Sequence, residues 1–217
     1  MTRIVYNLII TTLYIPYVCL ILFRKILNKE HKSKFKEKIL LNNARRPNGY
    51  LFWFHAVSLG EFNSILPFIN FYLKKDEKFK FLITTTTLSS YNEYKKKFRD
   101  NNRVFHQFLP YDFRLLINNF LKNWRPDIVL FVDSEIWPNF IFEIKKKKLP
   151  FILFNGRITK KTFKKWFFFK NFSYNLFSSF SLCISSNKET AEYLKLLKAK
   201  NIKYFGNIKF CQSFENK

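Results

Sequence analysis

Seven short apolar runs punctuate the chain, at residues 51–54, 79–84, 104–108, 128–132, 151–154, 182–185 and 203–205. Successive side chains of a strand point to opposite faces, so a strand wetted on one side alternates apolar with polar residues. Runs without that alternation are buried on both faces, which is the habit of a parallel sheet covered by helices. Between them, residues 62–73, 90–98, 113–121, 140–147 and 188–197 read as amphipathic helices. Strand and helix in alternation predict an α/β fold, a Rossmann-like doubly wound parallel sheet spanning residues 50–217. Its 217 residues suffice for one well-packed domain, and 47% hydrophobic with 20% aromatic residues excludes a disordered chain.

The amino terminus is of another kind. Residues 4–23 carry no charged side chain, and Arg24 and Lys25 follow at once. At about 1.5 Å per residue such a helix just reaches across a hydrocarbon core of about 30 Å. Residues 1–25 are therefore expected as a membrane anchor helix, with a helix lying in the interface as the alternative. A signal peptide fits less well, because no small-x-small cleavage site precedes the charged segment. Residues 26–49 form a basic juxtamembrane segment whose polar end, 42–49, is the expected hinge. Basic residues between 24 and 38 place the globular part on the cytoplasmic side. The net charge of +24 fits an anionic partner such as a membrane surface; it also fits an AT-rich coding bias, since Lys, Asn, Phe and Ile abound together. No nucleic-acid-binding motif accompanies the charge, so nucleic acid is not expected as a partner. Cys19, Cys183 and Cys211 have no metal-ligand spacing and read as packing residues in a reducing compartment.

Unusual polar residues gather where the strands end, the edge at which such sheets bind ligands. After the first strand comes His55-Ala-Val-Ser-Leu-Gly-Glu61, after the second the threonine run 84–87, and after the third Leu109-Pro-Tyr-Asp112. The fourth strand is followed by Asp133-Ser-Glu-Ile-Trp-Pro-Asn139, the fifth by Asn155-Gly-Arg-Ile-Thr159 and the last by Gly206-Asn-Ile-Lys209. Ser58 and Glu61 fit a capping box at a helix start. Glu61 fits equally a carboxylate held at the positive end of the helix dipole and able to act as a base. Gly60 would let a substrate approach the backbone. Asp133 and Glu135 are two apart, so both can face a cleft, or pair with lysines. Arg157 either grips a phosphate or carboxylate through two nitrogens or closes a surface salt bridge. The threonines suit a sugar- or anion-binding loop or simply a strand end. Trp166 to Phe169 either rests on acyl chains or packs its helix.

These segments, in this order from about Lys32 onward, resemble the 3-deoxy-manno-octulosonic acid (Kdo) transferase family. Its His-Ala/Ser-x-Ser-x-Gly-Glu motif is matched at 55–61 and its Leu-Pro-Tyr-Asp at 109–112. Glu-x-Glu-Ile/Leu-Trp-Pro-Asn is matched at 133–139 with Asp133 for the first Glu, and Asn-Ala-Arg-Leu-Ser at 155–159 with Gly156 for Ala. Gly-Asn/Ser-Leu-Lys-Phe is matched at 206–210, whereas the family's Thr-x-Thr-Gly loop here has no glycine. The resemblance implies half of a GT-B fold, two Rossmann-like domains facing across a cleft. It implies transfer of Kdo from CMP-Kdo to a lipid A precursor with inversion, at the cytoplasmic face of the inner membrane, with no metal or cofactor. On it Glu61 is the general base and Glu135 a second functional carboxylate. The acceptor-binding set becomes His55, Ser58, Gly60, Thr85, Asp133, Asn155, Arg157 and Lys209. The chain ends where the family's carboxy-terminal CMP-Kdo domain begins. That domain is thus expected to be missing or encoded separately, and the chain inactive alone; a non-catalytic lipid-binding or scaffold remnant is the alternative.

Overall fold

The computed structural model describes residues 2–206. The amino-terminal stretch folds as two helices, α1 (Arg3–Thr12) and α2 (Tyr14–Ile26), bent by 43° at Leu13. The expected single, separate helix is corrected on both counts. Pro16 in the first turn of α2 has no N–H to give back to the preceding turn and its ring crowds that turn, so the helix breaks just before it. No single helix among the described residues is long and apolar enough to cross a membrane, although the bent pair together passes that test of length and composition. The pair also packs on the domain along its length. Arg3 pairs with Glu143 at 2.5 Å, Tyr6 bonds Asp112, Tyr14 and Tyr17 stack on Phe113 and Tyr111, and Ile21 is buried with Phe35 and Ile39. A 3-10 turn at Lys34–Lys38 then covers one edge of the sheet, where Glu37 accepts the Phe108 N–H at 2.8 Å. Within it Lys38 is buried against Glu30 and the Thr86 carbonyl. Residues 42–49 are fastened to the domain by the Asn42 N–H to Asn119 at 2.9 Å and by Arg46 to Asp127 at 2.7 Å.

From Tyr50 the chain alternates as its apolar pattern predicts. β1 (Tyr50–His55), α3 (Leu59–Lys75), β2 (Phe79–Thr85), α4 (Leu88–Phe98) and β3 (Val104–Phe108) form the first half. The second half runs α5 (Arg114–Trp124), β4 (Ile128–Val132), α6 (Pro138–Lys146) and β5 (Phe151–Gly156). It closes with α7 (Lys160–Phe168), α8 (Lys170–Phe177), β6 (Leu182–Ser185), α9 (Lys188–Leu196) and β7 (Ile202–Tyr204). Helices α7 and α8 have no counterpart among the five expected from amphipathic spacing. In them Trp166 packs on Phe177, while Phe168 is 80% exposed.

The seven strands form one parallel sheet in the order β3-β2-β1-β4-β5-β6-β7. Alternate residues of each strand feed two cores. Trp53, Phe131 and Phe151 lie on one face, covered by α5, α6 with its Phe140, α8 and α9; Phe54, Phe81 and Ile83 lie on the other, covered by α3 with its Phe62 and by α4. At about 1.5–3 kcal/mol for each fully buried large apolar side chain, this two-sided burial dominates the stability. Winding starts at β1, moves out to β3, and returns to β4 beside β1. The strand order therefore reverses between β1 and β4, the position at which sheets of this kind open a crevice at their carboxyl ends. Cys183 is buried in the core as a packing residue, whereas Cys19 is exposed on α2, against expectation; Cys211 lies outside the described residues.

Candidate active site at the switch point

The turn from β1 into α3 is built around Ser58 and Glu61. Ser58 is the N-cap, its Oγ accepting the Glu61 N–H at 3.3 Å. The Glu61 carboxylate answers from both oxygens: Oε1 accepts the Ser58 hydroxyl at 2.9 Å and Oε2 the Val57 N–H at 2.8 Å. A capping box and a positioned carboxylate are here the same group. Burial pushes the Glu61 carboxyl above its ordinary value, the two hydrogen bonds oppose this, and the charges of Glu135 and Asp133 raise it further. The turn is held from behind, because the Ser90 and Thr87 hydroxyls donate to the Val57 carbonyl at 3.1 and 3.4 Å. Thr87 also caps α4. Most of the threonine run thus serves the strand end and the neighbouring turn. Gly60, in the first turn of α3, has no atom within 4 Å of where a Cβ would stand. The protein's own packing does not require a glycine there, and the side facing it is open.

His55 ends β1 between Thr84 of β2 and Phe131 of β4. It is fully buried, so it underlies the crevice rather than lining it. Its Nδ1 meets the Thr84 carbonyl at 3.2 Å and Oγ1 at 3.0 Å, and its Nε2 lies 3.6 Å from Glu135 Oε2. That Glu135 oxygen accepts the Trp137 indole N–H at 2.8 Å. Asp133 and Asn155 adopt left-handed backbone, φ +61° and +55°, at the ends of β4 and β5. Asp and Asn tolerate that region better than other residues with a Cβ, and the two turns carry the chain out of neighbouring strands at the crevice.

Ser58, Gly60, Glu61, Asp133 and Glu135 are thus brought to one place. Asn155 is buried at the next strand end, and Thr85 is buried with its hydroxyl on His106 Nε2 at 2.9 Å. Arg157 is exposed and forms no salt bridge among the described residues. Lys209 lies outside the described residues. Among the described residues no group of three or more His, Cys, Asp or Glu has the arrangement of a metal site. One residue with a positioning role went unassigned by sequence reasoning. Asp112 of the 109–112 motif is buried and receives the Asn139 and Phe140 N–H groups, both at 3.0 Å, and the Tyr6 hydroxyl at 2.7 Å. It caps α6 from a distance and ties α1 to the site's far wall. The signal was there in outline: α6 starts at Pro138 and its N-cap, Trp137, has no capping side chain, so its free N–H groups need an acceptor from elsewhere.

A family model described as 3-Deoxy-D-manno-octulosonic-acid transferase (kdotransferase) matches residues 30–212. A 3-deoxy-D-manno-octulosonic acid transferase of Rickettsia bellii is 32% identical over 194 residues, 89% of this chain and 46% of that protein. One from Rickettsia prowazekii is 35% identical over 160 residues, covering 74% and 34%. The chain therefore spans less than half the length of these relatives. In fold it is similar to the UDP-GlcNAc 2-epimerase of Neisseria meningitidis, with TM-score 0.53 at 13% identity over 77% of this chain and 50% of that one. The Rickettsia bellii UDP-N-acetylglucosamine 2-epimerase gives 0.51 at 14% identity, covering 78% and 47%.

Proposed function

The chain belongs to the 3-deoxy-D-manno-octulosonic-acid (Kdo) transferase family, and from that premise we propose that it is the acceptor-binding half of a glycosyltransferase moving Kdo from CMP-Kdo to a phosphorylated lipid A precursor. The observation that carries this reading is Glu61: a carboxylate fixed at a helix start, at the crevice between β1 and β4, with a raised pKa. In this reading an acceptor hydroxyl enters over Gly60 and gives its proton to Glu61 as its oxygen attacks the anomeric carbon of Kdo. The new C–O bond forms as the bond to the CMP phosphate breaks on the opposite side, inverting the centre and releasing CMP. The raised pKa supports the role, since a general base works best when its pKa approaches the working pH. Arg157, exposed and unpaired by any described carboxylate, supplies a two-nitrogen grip for an acceptor phosphate.

The substrate's acyl chains call for a membrane surface, and α1–α2 offers one. Contacts at Arg3, Tyr6, Tyr14, Tyr17 and Ile21 hold the pair along the domain, while Ile4, Leu8, Ile15, Leu20, Phe23 and Ile26 are exposed. A spanning segment carries one of its ends about 30 Å from a domain on one side of the bilayer. The pair instead lies in the cytoplasmic face of the inner membrane, with Arg24 and Lys25 toward anionic headgroups.

The test is a reaction containing this chain, the part of the Rickettsia bellii relative that it does not span, CMP-Kdo and a phosphorylated lipid A precursor. CMP release matched by Kdo-bearing lipid is expected. Precursor bound with neither product formed would replace this reading with a non-catalytic lipid-binding one.

A further inference from the structure

The buried histidine beneath the crevice has an unexplained atom. Thr84 Oγ1 donates its hydrogen to the Phe54 carbonyl at 3.2 Å and accepts the Trp53 indole N–H at 2.9 Å. With that hydrogen committed, both Thr84 oxygens meet His55 Nδ1 as acceptors, and the carbonyl can be nothing else. Nδ1 therefore carries the ring's hydrogen, and the lone pair of a neutral ring falls on Nε2. Yet Nε2 is enclosed with no hydrogen-bond partner, 3.6 Å from the Glu135 carboxylate. A bare nitrogen facing a carboxylate oxygen in a closed space is repulsive; one proton between them makes a charge-assisted pair.

We infer that His55 is a positioning residue for Glu135, holding a proton at Nε2 that pins this carboxylate at the crevice. Two other contacts make the arrangement directional. Trp137 donates to the same Glu135 oxygen, and the His55 ring is packed against Phe131 and Trp137. Glu135 is thereby oriented through one oxygen, by the Trp137 hydrogen bond and by attraction to the charged ring 3.6 Å away, leaving the other oxygen for a ligand. The pair also reduces the negative charge next to Glu61. The described acidic groups that gather here are Glu135 and Asp133 after β4 and Glu61 on α3; β2 contributes only Thr84. The proposed role in transfer rests on the function proposed above, but the pair itself does not.

Its test needs no turnover. Long-range ¹H–¹⁵N spectra of the histidine rings in this chain separate the tautomers, and only His31, His55 and His106 must be assigned. At neutral pH His55 of the native chain should carry hydrogen on both Nδ1 and Nε2, and Glu135→Gln should lose the Nε2 hydrogen while keeping that on Nδ1. Because Glu135 is partly exposed, Gln leaves the core intact, and unchanged spectra of His31 and His106 would verify that. Nε2 of His55 found without hydrogen in the native chain, or the same His55 spectrum in the two proteins, would overturn the inference. Failure of the transfer assay with this result intact would count against the function alone.

Discussion

Asp112 shows how one buried carboxylate joins parts of the chain that local sequence cannot connect. Burial raises its carboxyl from 3.8 to about 7, against the opposing bonds from Tyr6 and the α6 N–H groups. The folded value lies above the unfolded one, so the folded state binds the proton more tightly. Its contribution to stability is therefore fully present below about pH 3.8 and is lost as pH rises through about 7. Asp112→Asn removes the titration. Denaturant unfolding should show the native chain losing ground relative to the Asn variant between about pH 4 and 7; two parallel stability curves would refute the assignment. Glu61 was legible from its neighbours, because Ser58 three residues earlier marks a helix start. The sequence posed cap and base as alternatives, whereas the carboxylate's two oxygens make the cap contacts and keep free lone pairs. The burial of His55 and Thr85 could not be read, since it depends on which strands lie beside β1 and β2.

At the scale of elements, the strands were the most legible part. Residues such as Leu82 and Phe131 are apolar because both sheet faces are covered, and that demand shows in any short window. Helices α7 and α8 were obscured because α7 buries none of its residues and its aromatics are divided between Trp166 on the core and Phe168 in solvent. The break at Leu13 has a local signal in Pro16, but composition alone does not distinguish a spanning helix from a bent pair laid on a domain. If α1–α2 rests in the interface, Leu8→Asp with Ile15→Asp should weaken binding to vesicles containing anionic phospholipid by about tenfold or more, with helical content retained. Undiminished co-sedimentation of the double variant would place the membrane contact elsewhere.

For the molecule as a whole, the strand order does what no single motif can: it decides which strand ends meet. β1 and β4 are far apart in sequence but adjacent in the sheet, so the 55–61 and 133–139 segments flank one crevice while Arg157 stands one strand further along. Parallel pairing and helices on both faces were readable from the apolar runs, and the order of the strands was not. The claim that this crevice performs acyl-lipid glycosylation through Glu61 is tested most directly by Glu61→Gln in the complemented transfer assay, with precursor binding measured alongside. Gln keeps an oxygen for the Val57 N–H and a polar contact to Ser58, so fold and binding should be nearly unchanged; even complete loss of a cap costs only about 0.5–2 kcal/mol. It cannot take a proton, and removal of a general base costs about 10²–10⁴-fold in rate. A stable variant that binds the precursor and transfers Kdo at least about a hundredfold more slowly is the predicted result. Near-native turnover by that variant would contradict the account and leave Glu61 as a helix cap.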